Sequence, residues 1–132
     1  SVLLAWLLPA ERSDIAQRLL LRAAHDRPRA PSLLLLEVGN ALLQAERRSR
    51  LRQATRLELL DAFTSLPIAL EPISAEATLR ASELASRHAL TLYDASYLEL
   101  AVSRDCPLAT FDQALGEAAR AEGVVVLDEA RA

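Results

Sequence analysis

The sequence predicts an α/β domain with a parallel sheet. Residues 33–48 repeat apolar side chains at helical spacing, whereas the short apolar segments 67–73, 107–110 and 124–127 are typical of strands. Helices that alternate with such strands favour a parallel sheet. Because 52% of the 132 residues are apolar and no internal repeat or linker is visible, residues 1–132 are expected to form one domain.

The N-terminal half is predicted to be mainly helical. Residues 1–9 form a short helix, and residues 11–26 form an amphipathic helix that the segment RPRAPS ends. Ser32 is expected to cap a helix over residues 33–48. The apolar stripe of that helix comprises Leu34, Val38, Ala41, Leu42 and Ala45.

The C-terminal half alternates between helix and strand. Its predicted elements are a helix over 52–66, a strand within 67–73, a helix over 74–89 capped by Ser74, a helix from Asp94 to about Arg104, a strand over 107–110, a helix over 112–123 ended by Gly123, and a buried strand over 124–127.

The basic residues are unevenly placed. The net charge is −3, which argues against a general polycation for nucleic acid, yet all fifteen basic residues are arginines. Five of them fall in the segment RRSRLRQATR (47–56), and four of these, Arg47, Arg48, Arg50 and Arg52, lie within six residues. Arginine presents a bidentate fork to phosphate, so this segment is either a phosphate-binding surface or a solvated helix end and loop.

Several classes of protein are disfavoured by composition. The single cysteine, Cys106, excludes an internal disulfide and a cysteine zinc site, and we expect a cytoplasmic protein. No apolar run is long enough to cross a membrane. Three glycines cannot form a phosphate-binding loop, and the two histidines give a catalytic serine triad little support.

Three acids lie in unusual surroundings. Asp94 and Asp112 each precede a predicted helix, and each by itself is more simply interpreted as a helix cap than as a catalytic group. Glu37 differs, because it lies beside the apolar stripe of its helix and no arginine occurs at helical spacing from it. If the three converge, a cation must offset their repulsion, and carboxylate oxygens favour Mg²⁺ or Mn²⁺. Such a site suits hydrolysis of a phosphodiester by a metal-activated water.

Four segments in order resemble the PIN-domain ribonucleases, in particular the VapC-type toxins of toxin–antitoxin pairs. They are SVLLAWLLPAE, PSLLLLEVGNALL, LTLYDASYLELA, and CPLATFDQAL followed by GVVVL. The resemblance spans essentially all 132 residues. It implies a three-layer α/β/α sandwich with a short central parallel sheet, and an endoribonuclease that depends on Mg²⁺ or Mn²⁺.

The same resemblance assigns roles to individual residues. Glu37 matches the helical acid of the family, and Asn40 matches the polar residue that accompanies it. Asp94 and Asp112 match the third and fourth acids, and Thr110 occupies the hydroxyl position before the fourth. These matches imply that the three acids are catalytic and hold the metal, and that Asn40 and Thr110 position the substrate.

Two further assignments follow from the motif positions. Ser1 matches the serine of the family's D-x-S motif and is assigned to substrate positioning. The first aspartate of that motif is expected two residues earlier, so we expect the native protein to extend upstream of Ser1. Glu99 and Asp105 fall outside the motifs and are interpreted as surface charges.

The resemblance also implies a cognate VapB-like antitoxin, an RNA substrate and a homodimer. Apolar faces on residues 1–8, with Trp6, and on residues 56–63 provide either an antitoxin groove or ordinary core. Two other functions stay open at this point. One is a catalytically inactive PIN-fold module for interaction or metal binding, and the other is a metal-dependent phosphatase or DNA nuclease on a similar scaffold.

Overall fold

The computed structural model describes residues 27–127 together with Arg18, Leu21 and His25. The elements in chain order are β1 (Arg29–Pro31), α1 (Leu33–Arg47), α2 (Gln53–Thr64), β2 (Ala69–Glu71), α3 (Ala75–His88), α4 (Leu92–Arg104), β3 (Leu108–Ala109), α5 (Gln113–Ala121) and β4 (Val126–Leu127). The predicted α/β class is confirmed. The predicted helix over 1–9, with Trp6, lies outside the described residues, as does most of the helix over 11–26. In the described part of the chain no helix is both long and apolar enough to cross a membrane.

The described strands pair in parallel, as predicted. Strand β1 pairs with β2, with Ala30 opposite Leu70, and β3 pairs with β4, with Leu108 opposite Val126. Within residues 27–127 these pairs are two separate two-stranded sheets. The described strands by themselves therefore do not form the single central sheet that a three-layer sandwich requires.

Strand β1 lies where the sequence predicted only a break. Pro28 and Pro31 argued against a strand here, because proline cannot donate a ladder hydrogen bond. The Pro28 carbonyl still accepts a hydrogen bond, and the N–H of Ser32, the residue after Pro31, supplies a donor. The Ala69 N–H donates to the Pro28 carbonyl at 2.9 Å, and the Ser32 N–H donates to the Glu71 carbonyl at 2.8 Å.

Two apolar clusters form the core, and α4 lies between them. The first cluster joins α3, α4, α5 and the β3–β4 pair around the fully buried Leu98. The second joins β1, α1 and α2 around Val38 and Leu42, which are also fully buried. Tyr97 of α4 packs against both clusters. Helix α4 thus fixes the position of α1 relative to the C-terminal half.

The helix ends confirm some of the predicted caps. Ser74 accepts a hydrogen bond from the Ala77 N–H at 3.0 Å, as expected of the cap of α3. Ser32 occupies the cap position of α1, but its side chain makes no capping hydrogen bond, which corrects the prediction. Gly123 has a φ of +78° and ends α5 as predicted, because glycine adopts the left-handed region without a steric penalty.

Glutamates form ion pairs that tie distant elements together. Glu71, at the end of β2, binds Arg29 of β1 at 2.5 Å and Arg104 of α4 at 2.8 Å. The hydrogen bonds from Arg29 and Arg104 hold the pKa of the Glu71 carboxyl below its ordinary value. Glu122 similarly joins α5 to His88 of α3, and the hydrogen bond from His88 lowers its pKa.

Replacing Gly39 with alanine is expected to stabilise the protein by about 0.5–1 kcal/mol. Gly39 lies inside α1, and an added Cβ would stand 3.9 Å from the Leu60 side chain, an ordinary contact. Alanine therefore gains helix propensity without a clash. Urea denaturation of both proteins measures the change. The matched control is Gly123→Ala, which must lose stability because of the positive φ at that position. A loss in Gly39→Ala would contradict the packing described between α1 and α2.

Candidate active site

Tyr97 connects two of the predicted acids. Its hydroxyl donates a hydrogen bond to Oε1 of Glu37, across the contact between α4 and α1. Burial raises the pKa of the Tyr97 hydroxyl, and the negative charges of Glu37 and Asp94 raise it further. The hydroxyl therefore keeps its proton and acts as a donor to the carboxylate.

Asp94 lies on the same side of α4 as Tyr97. The two residues are three positions apart, which makes their side chains neighbours on a helix. Asp94 is half-buried, and within residues 27–127 its carboxylate has no hydrogen-bond or ion-pair partner. The structure thus brings Glu37 and Asp94 to a common neighbour from two different helices.

The capping interpretation of Asp94 is wrong. Helix α4 begins at Leu92, and the Oγ1 of Thr91 caps it by accepting a hydrogen bond from the Asp94 N–H at 3.1 Å. Thr91 thus performs the capping role that the sequence assigned to Asp94. The Asp94 carboxylate lies in the first turn, where the helix dipole favours a negative charge.

Asp112, by contrast, is a helix cap. Its Oδ1 accepts a hydrogen bond from the Leu115 N–H at 2.8 Å at the start of α5. Its own N–H donates to Oγ1 of Thr110 at 3.0 Å. Thr110 therefore holds the backbone that carries this acid, and one carboxylate oxygen of Asp112 is already committed to the helix end.

Glu37 is more exposed than the sequence suggested. The prediction placed it in apolar surroundings, but its side chain lies on the solvent side of α1, and Leu36 beside it is 76% exposed. Of the run of four leucines before Glu37, only Leu34 is buried. Asn40, one turn further along α1, is also exposed.

The donor set of Glu37 and Asp94 suits a hard cation. Carboxylate oxygens are the ligands that Mg²⁺ and Mn²⁺ prefer, and both acids adjoin Tyr97, Glu37 through the hydroxyl and Asp94 as a neighbour on α4. Among the residues that the structure describes, however, no three acidic, histidine or cysteine side chains form a group able to hold a metal ion. Glu37, Asp94 and Asp112 as a set of metal ligands therefore stay a prediction. Ser1 lies outside the described residues.

The arginine segment forms an exposed surface at the turn between α1 and α2. Arg47, Arg48, Arg50 and Arg52 are all exposed, and within residues 27–127 none of them forms an ion pair. The turn is ordered, because the Arg50 N–H donates to the Ala45 carbonyl at 2.9 Å and Ser49 adopts a φ of +59°. Other arginines of the described chain bind glutamates instead, as do Arg29, Arg80, Arg87 and Arg104.

Two residues with a structural part in this region were not predicted. The spacing of Tyr97, three residues after Asp94, could have indicated that the two are neighbours on a helix. Its hydrogen-bond partner Glu37, however, is 60 residues away in sequence. Glu99 was interpreted as a surface charge, which is wrong, because it is only 6% exposed. Its partner is Arg80 of α3 at 3.0 Å, a contact between helices that no spacing within one helix reveals. Asp105 is exposed, as expected.

Comparison with known proteins identifies the family of this chain. A profile of the PIN domain matches residues 1–121. The chain therefore belongs to the PIN-domain family. It is also 34% identical over 118 residues to Ribonuclease VapC3 of Pyrobaculum aerophilum, a match that covers 89% of this chain and 88% of that protein. The resemblance found in the four sequence segments is thus confirmed.

Proposed function

We propose that this protein is a metal-dependent endoribonuclease of the VapC toxin type that a VapB-like antitoxin neutralises. The family and the similarity to a VapC ribonuclease support an RNA-cleaving toxin. The observation that carries the proposal is the contact between α1 and α4 at which Tyr97 binds Glu37 and has Asp94 as its neighbour one turn earlier on α4. It joins two motif acids from helices that are far apart in the chain, as a shared catalytic centre requires.

Glu37 and Asp94 are the residues that would hold Mg²⁺ or Mn²⁺, with Asp112 as the third predicted ligand. When bound, such a cation would lower the pKa of a water and offset charge on the phosphate. The chain's own residues do the positioning. Tyr97 holds the Glu37 carboxylate in place, and Thr110 holds the backbone of Asp112. Asn40 and Ser1 are proposed to position the substrate.

The exposed arginines at the turn between α1 and α2 are proposed to bind the RNA backbone. Four guanidinium groups without an acidic partner in the described chain leave their donors for phosphate oxygens. Arg47 also lies in the last turn of α1, where the helix dipole favours a cation.

The double variant Arg47→Ala, Arg48→Ala is expected to weaken binding of all RNA sequences similarly. The plot of log binding constant against log salt concentration should also become less steep, by about one unit of slope for each phosphate that is no longer neutralised. Titration of a labelled RNA at several salt concentrations measures both quantities. Arg87→Ala is the matched control, because Arg87 is paired with Glu122 and should leave RNA binding unchanged. Unchanged affinity of the double variant at low salt would contradict RNA binding by this surface.

Tyr97→Phe is expected to weaken Mn²⁺ binding and RNA cleavage by about tenfold each, as loss of a group that orients a metal ligand does. Phenylalanine keeps the packing against both clusters and removes only the hydroxyl that binds Glu37. Calorimetric titration with Mn²⁺ and a cleavage assay report the two effects. Thr64→Val, which removes an exposed hydroxyl at the end of α2, is the control. Wild-type Mn²⁺ affinity in Tyr97→Phe would show that the hydroxyl serves stability alone.

The proposed activity is tested by incubating the full-length protein, free of antitoxin, with a structured RNA pool and Mg²⁺. Cleavage that stops when the cation is chelated supports the proposal and excludes the inactive module. Cleavage of DNA or of a phosphomonoester in preference to RNA would instead support the nuclease or phosphatase alternatives. If the folded protein, supplied with metal, shows none of these activities, the result would support an inactive module for interaction or metal binding.

The partner proteins are tested separately. We propose a homodimer and a complex with a VapB-like antitoxin, on the basis of the family relationship. Sedimentation of the purified protein gives its oligomeric state. Co-expression with the protein encoded beside it should yield a stable complex that no longer cleaves RNA. A monomer, or a neighbour that leaves cleavage unchanged, would contradict these two assignments.

A further inference from the structure

A groove of about 420 Å³ runs between α3, α4 and the ends of β1 and β2. Its walls include the apolar side chains of Leu33, Ile73, Leu92 and Tyr93. Sites for small organic ligands commonly have volumes of about 300–1,000 Å³ and mostly apolar walls with a few polar groups. The groove therefore has the size and composition of a ligand site.

The groove adjoins the candidate active site on two helices. Leu33 lies one helical turn before Glu37 on α1, and Tyr93 lies one turn before Tyr97 on α4. Residues four positions apart are neighbours on a helix surface. A molecule that extends from the two acids along α4 thus enters the groove past Tyr93, whose side chain is 68% exposed.

Polar groups in the groove match an unpaired nucleotide. Glu99 is nearly buried, and its Oε1 accepts from Arg80 at 3.0 Å, whereas its Oε2 accepts no hydrogen bond from the described residues. A carboxylate oxygen reads an amino group on the edge of a base. Glu71, which also lines the groove, binds both Arg29 and Arg104, so this cluster of one carboxylate and two guanidinium groups carries a net positive charge that suits a phosphate.

We propose that the groove binds one unpaired nucleotide of the RNA substrate, whose base carries an exocyclic amino group. This inference rests on the proposed ribonuclease function. Tyr93 stacks on the base, Glu99 accepts a hydrogen bond from its amino group, and the cluster around Glu71 attracts the neighbouring phosphate. An unpaired base fits because stacking on an aromatic side chain needs a base that has left the helix. The site selects single-stranded segments and disfavours uracil, which lacks the amino group.

The test measures binding of short labelled RNAs to the full-length protein with divalent cations chelated, so that binding is separate from cleavage. Single-stranded oligomers of A and of C are expected to bind more tightly than oligomers of U or a duplex. Tyr93→Ala should weaken binding of the A and C oligomers by about 5- to 150-fold, the effect of losing one base–aromatic stack. Tyr93→Phe should bind like wild type, because the ring remains. Val102→Ala, at an exposed position of α4 outside the groove, controls for surface change.

A second variant tests the recognition of the base. Glu99→Gln keeps an oxygen for Arg80 and has nearly the same shape, but replaces one acceptor with a donor. It should reduce the preference for A and C over U while the protein stays folded by circular dichroism. Equal binding of all single strands by wild type, or wild-type affinity in Tyr93→Ala, would overturn the proposal. If either of these results is found but the wild-type protein still binds and cleaves RNA, only the groove assignment fails. If wild type neither binds nor cleaves RNA, the proposed nuclease function fails with it.

Discussion

Asp94→Asn is expected to lower the rate of RNA cleavage by at least about 100-fold, because it removes a proposed ligand of the cation that offsets the charge of the transition state. Asparagine has the same shape but lacks the negative charge that attracts a cation. The fold should survive, because Thr91 caps α4 through the backbone N–H of Asp94 and not through its side chain. The cleavage rate with Mg²⁺ and the thermal midpoint of unfolding measure the two effects.

The matched control is Asp105→Asn at the other end of the same helix. Asp105 is exposed and has a φ of +51°, a conformation that asparagine adopts readily. Its cleavage rate should equal that of wild type. Near-normal cleavage by Asp94→Asn would show that Asp94 is not part of the catalytic centre. A large loss of stability instead would show that the Asp94 side chain supports the fold.

Leu42→Ala is expected to destabilise the protein by about 2–5 kcal/mol, the range for truncating a fully buried leucine. Leu42 has no exposed surface and lies in the cluster that joins α1, α2 and β1. The variant loses buried apolar surface and leaves a cavity that rigid neighbours fill only partly. Because the same helix carries Glu37, cleavage should also become more sensitive to heat. Chemical denaturation of both proteins gives the difference in the free energy of unfolding.

Leu36→Ala on the same helix controls for the substitution itself. Leu36 is 76% exposed, so its truncation should change stability by no more than about 0.5 kcal/mol. Similar losses in Leu36→Ala and Leu42→Ala would contradict the orientation of α1. A loss confined to Leu42→Ala supports it, and with it the direction in which Glu37 faces.

The helices were predictable because their signals are local. The bounds of α1, α2 and α3 lie within a residue or two of the predicted segments, since apolar periodicity and the cap Ser74 act over a few neighbouring residues. Strand β1 was missed, because its three residues carry no periodicity and two nearby prolines indicated a break. Its existence depends on β2, forty residues later, which supplies the hydrogen-bond partners.

The α/β class, the order of most elements and the family could be inferred from the amino-acid sequence, because residue order and periodicity encode them directly. The sequence also singled out Glu37 and Asp94 as candidate site residues. Three contacts became visible only in the folded chain: Thr91 caps α4, Tyr97 binds Glu37, and Glu99 is buried against Arg80. The last two arise where helices pack against one another, and the partners of a side chain there depend on the direction of a neighbouring helix. The spacing of residues within one helix does not determine that direction.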